Sequence, residues 1–199
     1  MFIDYLTLML INMVAGLVLL AAWIFLDVGT PGERRWVPGM LMAGFLALAT
    51  GLHMIFTWPL VGSYNILYGE MSVFYGILLV GVGFTVMMGL DLLPVAIYAE
   101  FVGLAAVLIG IQVLKLDLTQ HPTISGVGFI WMGLVGLGAV PMLRMRSVPA
   151  FRIFGAAGLL IAAVIWGVTG YMAYWGHVKP FAKWKPVHMQ YEMQMNNPQ

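Results

Sequence analysis

Six apolar runs, each long enough to cross a bilayer, constrain this chain more than any other feature. They fall near 5–26, 37–58, 70–90, 94–115, 125–143 and 151–175. A hydrocarbon core of about 30 Å takes roughly 20 residues of helix at about 1.5 Å per residue. Composition agrees: 62% of the 199 residues are hydrophobic and 9% are charged, against about 25% charged in soluble domains. Breakers separate the runs at Gly29-Thr-Pro-Gly32, Pro59, Asp91 to Pro94, His121-Pro122 and Ser147-Val-Pro149. The expected fold is all-α, a polytopic integral membrane bundle of six transmembrane helices over residues 1–175, followed by a polar C-terminal tail over 176–199. The connection between the third and fourth runs is the shortest, so a tight antiparallel hairpin is expected there.

Several function classes are disfavoured. A net charge of +1 offers no basic face for nucleic acid. The absence of cysteine excludes disulfides, thiolate metal sites, iron–sulfur clusters and cysteine nucleophiles. Phosphate-binding loops, zinc-protease helices and nucleophile elbows are not found, so no catalytic residue is assigned. The first run follows Met-Phe-Ile-Asp-Tyr5, without a basic lead or a small-residue cleavage site, and reads as a retained span.

Basic residues in short loops set orientation. All five arginines (Arg34, Arg35, Arg144, Arg146 and Arg152) lie in two connections that six spans place on one side, expected to be cytoplasmic. Both termini then face outward. His53, His121, His177 and His188 collect on that outer side, with Asp4, Glu70, Asp117 and Glu192. Glycines at helix-contact spacing (Gly133 with Gly136, Gly155 with Gly158, Gly167 with Gly170) suit close helix approach. So do the stripes Ala43, Ala47, Thr50 and Gly126, Gly133, Gly136.

The stretch Gly51–Glu70 concentrates polar groups between apolar runs. Thr50, His53 and Thr57 share one face of the second helix. At about 8 Å inside the outer boundary, His53 reads as an axial haem ligand, a metal ligand or a proton relay. The competing reading is a neutral histidine bonded to Glu70 or a tyrosine hydroxyl. Trp58, Tyr64 and Tyr68 suit the interface, and with Asn65 they belong to an uncharged loop that reads as a re-entrant cap or as an aromatic anchor. Glu70 opens the third helix, where it caps the helix or serves as ligand or proton acceptor. Glu100 is an intramembrane carboxyl, with Ala96 and Gly103 on its face; it reads as a proton or cation step or as an interhelical hydrogen bond.

The tail changes character. Lys179, Lys183 and Lys185 alternate with Phe181 and Trp184, which suits membrane lipids as partners and a bound lipid. His188, Met189, Met193 and Met195 form a soft donor set that would select copper.

The run Phe56-Thr-Trp-Pro-Leu-Val-Gly-Ser-Tyr-Asn-Ile-Leu-Tyr-Gly-Glu70 resembles the signature of a prokaryotic membrane-protein family, domain of unknown function 981. The start Met-Phe-Ile-Asp4 and the close Gly170-Tyr-Met-Ala-Tyr-Trp-Gly-His177 are similar as well. The resemblance spans about residues 1–178, with Pro-Leu-x-Gly-Ser-Tyr-Asn as its specific core. It implies a small multi-span protein of a prokaryotic cytoplasmic membrane and supplies no activity; the termini would then be periplasmic. Three functional readings follow. The first is a non-catalytic accessory subunit of a larger membrane complex, energy-transducing and of the respiratory-chain kind. It would dock on other membrane subunits through loop 58–70 and the tail. The second is a haem or copper carrier, and the third a small channel or transporter.

Overall fold

The computed structural model describes residues 4–182, which are helical almost throughout and contain no strand. Helix α1 (Tyr5–Leu26) starts where the Asp4 carboxylate accepts the Thr7 amide at 3.3 Å, a side-chain N-cap. A 3-10 turn (Pro31–Trp36) leads into α2 (Val37–Thr57). Pro59 ends α2, because its ring crowds a helical residue before it, and Trp58 swings to φ 45°. A π-helical turn (Asn65–Glu70) then runs directly into α3 (Met71–Met88). Gly89, at φ 67°, closes α3, and the Leu90 amide bonds back to the Thr85 carbonyl at 2.9 Å. Helix α4 (Leu93–Leu116) is followed by α5 (Pro122–Leu137), the short α6 (Ala139–Arg144) and α7 (Pro149–Phe181).

Five helical stretches are long and apolar enough to cross a membrane: Leu6–Leu26, Pro31–Thr57, Asn65–Met88, Leu93–Leu116 and Pro149–Val178. The apolar α5 is shorter. The protein is therefore an all-α membrane bundle. Three boundaries differ from the apolar runs. The third helical stretch begins at Asn65 rather than at 70, so Glu70 lies one turn inside it and is not its opening residue. The fifth run breaks at Gly138, whose amide folds back on the Leu134 and Val135 carbonyls at 3.2 and 3.1 Å. Pro141 explains that break, since it has no amide for the Leu137 carbonyl and its ring crowds that oxygen. Helix α7 continues to Phe181, past the expected close of its run at 175.

Three antiparallel pairs carry most of the packing: α1 with α7, α2 with α3, and α4 with α5. Bare glycine backbones make the last two possible. A Cβ added at Gly103 would stand 2.6 Å from the Gly133 carbonyl oxygen, and one at Gly110 would stand 2.7 Å from that of Gly126. In the α2–α3 pair, a Cβ at Gly76 would stand 2.8 Å from the Gly44 oxygen. Contact this close replaces the water exclusion that a lipid environment cannot supply. The tight hairpin expected between the third and fourth helices is corrected: α3 packs on α2 and α4 on α5, while α3 and α4 touch sparsely. Their short loop ties one end only. At the one α3 glycine that faces α4, Gly81, the nearest atoms belong to Val95 at 3.7 Å.

The arginines gather at one end of the bundle and hold the close of α1. Arg152 donates from Nε to the Ile24 carbonyl at 3.0 Å and from Nη2 to that of Phe25 at 2.7 Å, supplying partners that a helix end lacks. Asp27 Oδ2 accepts from Trp36 Nε1 at 2.5 Å and from Arg35 Nε at 2.8 Å, while the Arg35 guanidinium lies 5.3 Å from the Trp36 ring centre. The Trp36 indole above all holds the Asp27 carboxyl below its ordinary value; burial opposes it as the next largest effect, and the Arg35 hydrogen bond and the Arg35 and Arg152 charges keep the balance downward. A carboxyl whose pKa is lower folded than unfolded stabilises the fold above its unfolded pKa; that stability is lost as pH falls through the folded pKa. Thermal melts of detergent-solubilised protein should therefore show Tm falling as pH drops below about 4. Asp27→Asn should start lower at neutral pH and lose less in acid.

Candidate functional site

The buried pivot of the signature stretch is Asn65, fully shielded from solvent. Its Oδ1 accepts the Leu60 amide at 3.2 Å, and its Nδ2 donates to the carbonyls of Leu60 at 2.5 Å and Gly62 at 3.5 Å. One side chain thus serves both backbone groups of Leu60, as a neighbouring strand would. Gly62 takes φ 63°, which a residue with a side chain rarely adopts. Trp58, Pro59 and Val61 remain exposed on the rim. The loop read as a re-entrant cap or as an aromatic anchor is a short turn closed on Asn65, where helix resumes.

From this turn a line of rings enters the bundle. Tyr64 stacks on Tyr68 with centres 5.9 Å apart and planes at 12°. Tyr68 meets Phe129 at 5.7 Å and Trp166 edge-on at 6.3 Å, and Phe129 meets Trp166 at 4.9 Å. The Tyr68 hydroxyl lies close to the buried Ser125. Four rings in contact therefore couple the signature to α5 and α7.

Other candidates point away from the interior. Thr50 Oγ1 donates to the Leu46 and Ala47 carbonyls at 2.8 and 3.2 Å, and Thr57 Oγ1 donates to His53 O at 2.7 Å. Both hydroxyls are absorbed by their own helix. His53, Thr57 and Glu70 are exposed on the outer face of α2 and the π-turn. A Cβ at Gly51 would stand 2.9 Å from Gly69 O, so His53 and Glu70 lie at similar height. Glu100 is half-buried on α4 and makes no hydrogen bond or ion pair among the described residues. His188, Met189, Met193 and Met195 lie outside the described residues. Among the described residues, no three His, Asp or Glu side chains converge to hold a metal.

One cluster had only a faint sequence signal. Asp4 Oδ2 lies 2.6 Å from His177 Nδ1 and accepts from Thr7 Oγ1 at 2.8 Å, which fastens the end of α7 to the start of α1. The Asp4-x-x-Thr7 capping spacing was visible in the sequence; its third member, on α7, was not.

A cavity of about 580 Å³ lies between α1, α3, α4, α5, α6 and α7. Tyr68, Phe129 and Trp166 line one part of it, and Trp23, Met142 and Phe154 another. Among the described residues no charged side chain lines it. The buried indole N–H groups of Trp23 and Trp166 have no partner among the described residues.

Fold and site together define a helical membrane protein with an apolar cleft between its helices and a signature turn locked on a buried asparagine. The chain belongs to the family described as Protein of unknown function (DUF981), whose model matches residues 1–180. No curated protein and no solved structure matches the chain.

Proposed function

We propose that the protein is a non-catalytic subunit of a larger, energy-transducing complex in a prokaryotic cytoplasmic membrane. It docks on neighbouring subunits through loop 58–70 and its C-terminal tail. The observation that carries this reading is the outward placement of polar side chains near one membrane edge. Ionisable groups in membrane helices ordinarily turn to the bundle interior or a wet cavity. Here His53, Thr57 and Glu70 face outward, beside Phe56 at 80% exposure and Val61 at 86%. A mixed polar and aromatic patch of this kind suits burial against another subunit. Among the described residues the cavity is lined without a charged side chain, which favours the subunit reading over a channel. The arginine end faces the cytoplasm in this proposal, which leaves the Asp4–His177 end outside.

Two experiments test it. Native purification under mild detergent should recover companion chains, and Glu70→Leu with His53→Leu should alter their retention; a chain that always runs alone overturns the subunit reading. An optical spectrum of the same sample decides the haem alternative by its Soret band. Orientation is separable because the chain has no cysteine. A membrane-impermeant maleimide should label Ser63→Cys in intact cells and Ser147→Cys only after permeabilisation, and the reverse pattern inverts the topology.

A further inference from the structure

The cleft between the helices has an open flank and a charged rim, and the two meet at one place. Its volume of about 580 Å³ falls among small-molecule sites of roughly 300–1,000 Å³. Leu134, Pro141 and Phe154 belong to its wall and are exposed on the side of the bundle, Phe154 by 74%. A Cβ at Gly155 would stand 3.1 Å from Met142 and one at Gly158 would stand 3.0 Å from Val135, so α7 faces α5 and α6 there. The cleft therefore opens sideways, toward lipid, along the seam between α7 and these two helices.

The rim of that seam is cationic. The loop that joins α6 to α7 crosses its end and carries Arg146, directly after Arg144 and Met145 at the close of α6. From Gly138 to Gly155 the chain holds three arginines and no Asp or Glu. Arg152 is occupied by the Ile24 and Phe25 carbonyls. Arg144 and Arg146 are exposed and make no ion pair among the described residues. The acids at this end are engaged elsewhere. Asp27 holds Arg35 and Trp36, Glu33 accepts the Gly29 amide at 2.9 Å, and Asp91 accepts the Leu93 amide at 3.0 Å.

Charge and length together select the occupant. A phosphodiester accepts parallel N–H bonds from a guanidinium, which arginine offers in a fixed fork. A zwitterionic headgroup would also bring an ammonium against Arg144 and Arg146, whereas a headgroup of net negative charge would not. On α7 the apolar wall runs from Phe151 to Trp166, about 22 Å at 1.5 Å per residue. That exceeds the depth of one leaflet, roughly half of a core of about 30 Å. A chain whose phosphate sits at the α6–α7 loop thus meets apolar wall along its length. Aliphatic and methionine side chains make up most of that wall and adapt to a flexible chain.

We propose that the seam between α6 and α7 holds one anionic phospholipid, its phosphate on Arg144 and Arg146 and an acyl chain laid into the cleft. This goes beyond the subunit reading and does not depend on it.

The test uses the full chain in phosphatidylcholine nanodiscs doped with a brominated-chain lipid, whose bromines quench tryptophan on contact. Trp23, Trp131 and Trp166 line the cleft and report its occupant. Brominated phosphatidylglycerol should quench in excess of brominated phosphatidylcholine at the same mole fraction, with a relative affinity of about five- to thirty-fold. Arg144→Gln with Arg146→Gln should lower that preference to under about twofold. Arg34, beside Gly89 at the close of α3, is the control, and Arg34→Gln should change the preference by less than about twofold. Ala96→Phe, which narrows the cleft, should remove the excess in a chain whose circular dichroism is unchanged. Unlabelled phosphatidylglycerol should displace the brominated lipid, and inorganic phosphate should not. Equal quenching by the two lipids overturns the proposal. So does displacement by phosphate, an equal loss in all the arginine variants, or an excess indifferent to Ala96→Phe.

Discussion

Replacing Asn65 by leucine should destabilise the bundle by about 1–3 kcal/mol, because it leaves the part-buried Leu60 amide and carbonyl without their partner. Asn65 is fully buried and serves the Leu60 amide and carbonyl together. Leucine has similar bulk and neither donor nor acceptor, so packing is retained while the turn loses its lock. Asn65→Asp separates the two contacts. A carboxylate can still accept the Leu60 amide but has no donor for the Leu60 carbonyl, and it buries a charge. It should be no better than leucine. Reversible unfolding in mixed micelles, followed by helical circular dichroism, measures both variants. If the leucine variant stays within about 0.5 kcal/mol of the parent, the range of ordinary surface changes, the turn is not held by Asn65. The same variants bear on docking: Trp58 and Val61 ride on this turn, so retention of companion chains should fall even at temperatures where the helices persist.

Gly103→Ala should cost roughly 3 kcal/mol, the upper range of overpacking, because nothing at that contact can yield cheaply. The added Cβ would meet Gly133 O at 2.6 Å and Leu137 N at 2.8 Å, both of them backbone atoms. Helices α4 and α5 would have to separate along the whole contact, since Gly110 and Gly126 repeat the same approach nearer the other end. Gly81→Ala is the matched comparison. It stands on α3 opposite Val95, with its nearest neighbour at 3.7 Å, and should be close to neutral. Equal effects at the two positions would show that helix propensity, rather than the α4–α5 contact, governs the cost.

Much of the architecture is legible along the chain. Apolar runs of about 20 residues dictate membrane helices whatever their neighbours, and Pro59 and Gly89 mark helix ends by local sterics. The division of the fifth run at Gly138 was also written there, in Pro141, although hydropathy alone passes over it. The pairing of helices was not legible. The shortest loop suggested α3 with α4, yet a loop constrains only chain ends, whereas glycine faces decide which backbones can touch over several turns. The site divides in the same way. Asn65 and the two tyrosines of the signature belong to one structural unit because they are neighbours in sequence. His53 shares their stretch and faces outward, since the direction of a helical side chain depends on which face the rest of the bundle covers.

The sequence by itself determined that this chain is an all-α membrane protein, that Pro59 and Gly89 close two of its helices, and that its arginines share one end. Each of those follows from interactions between residues close in sequence, or between residues and the bilayer. Tertiary structure alone decided that Asp4 meets His177, that Phe129 and Trp166 extend the line of rings from Tyr68, and that Trp23 and Trp166 line one cavity. These residues lie far apart in the chain, and their meeting depends on three antiparallel pairings that no local pattern encodes.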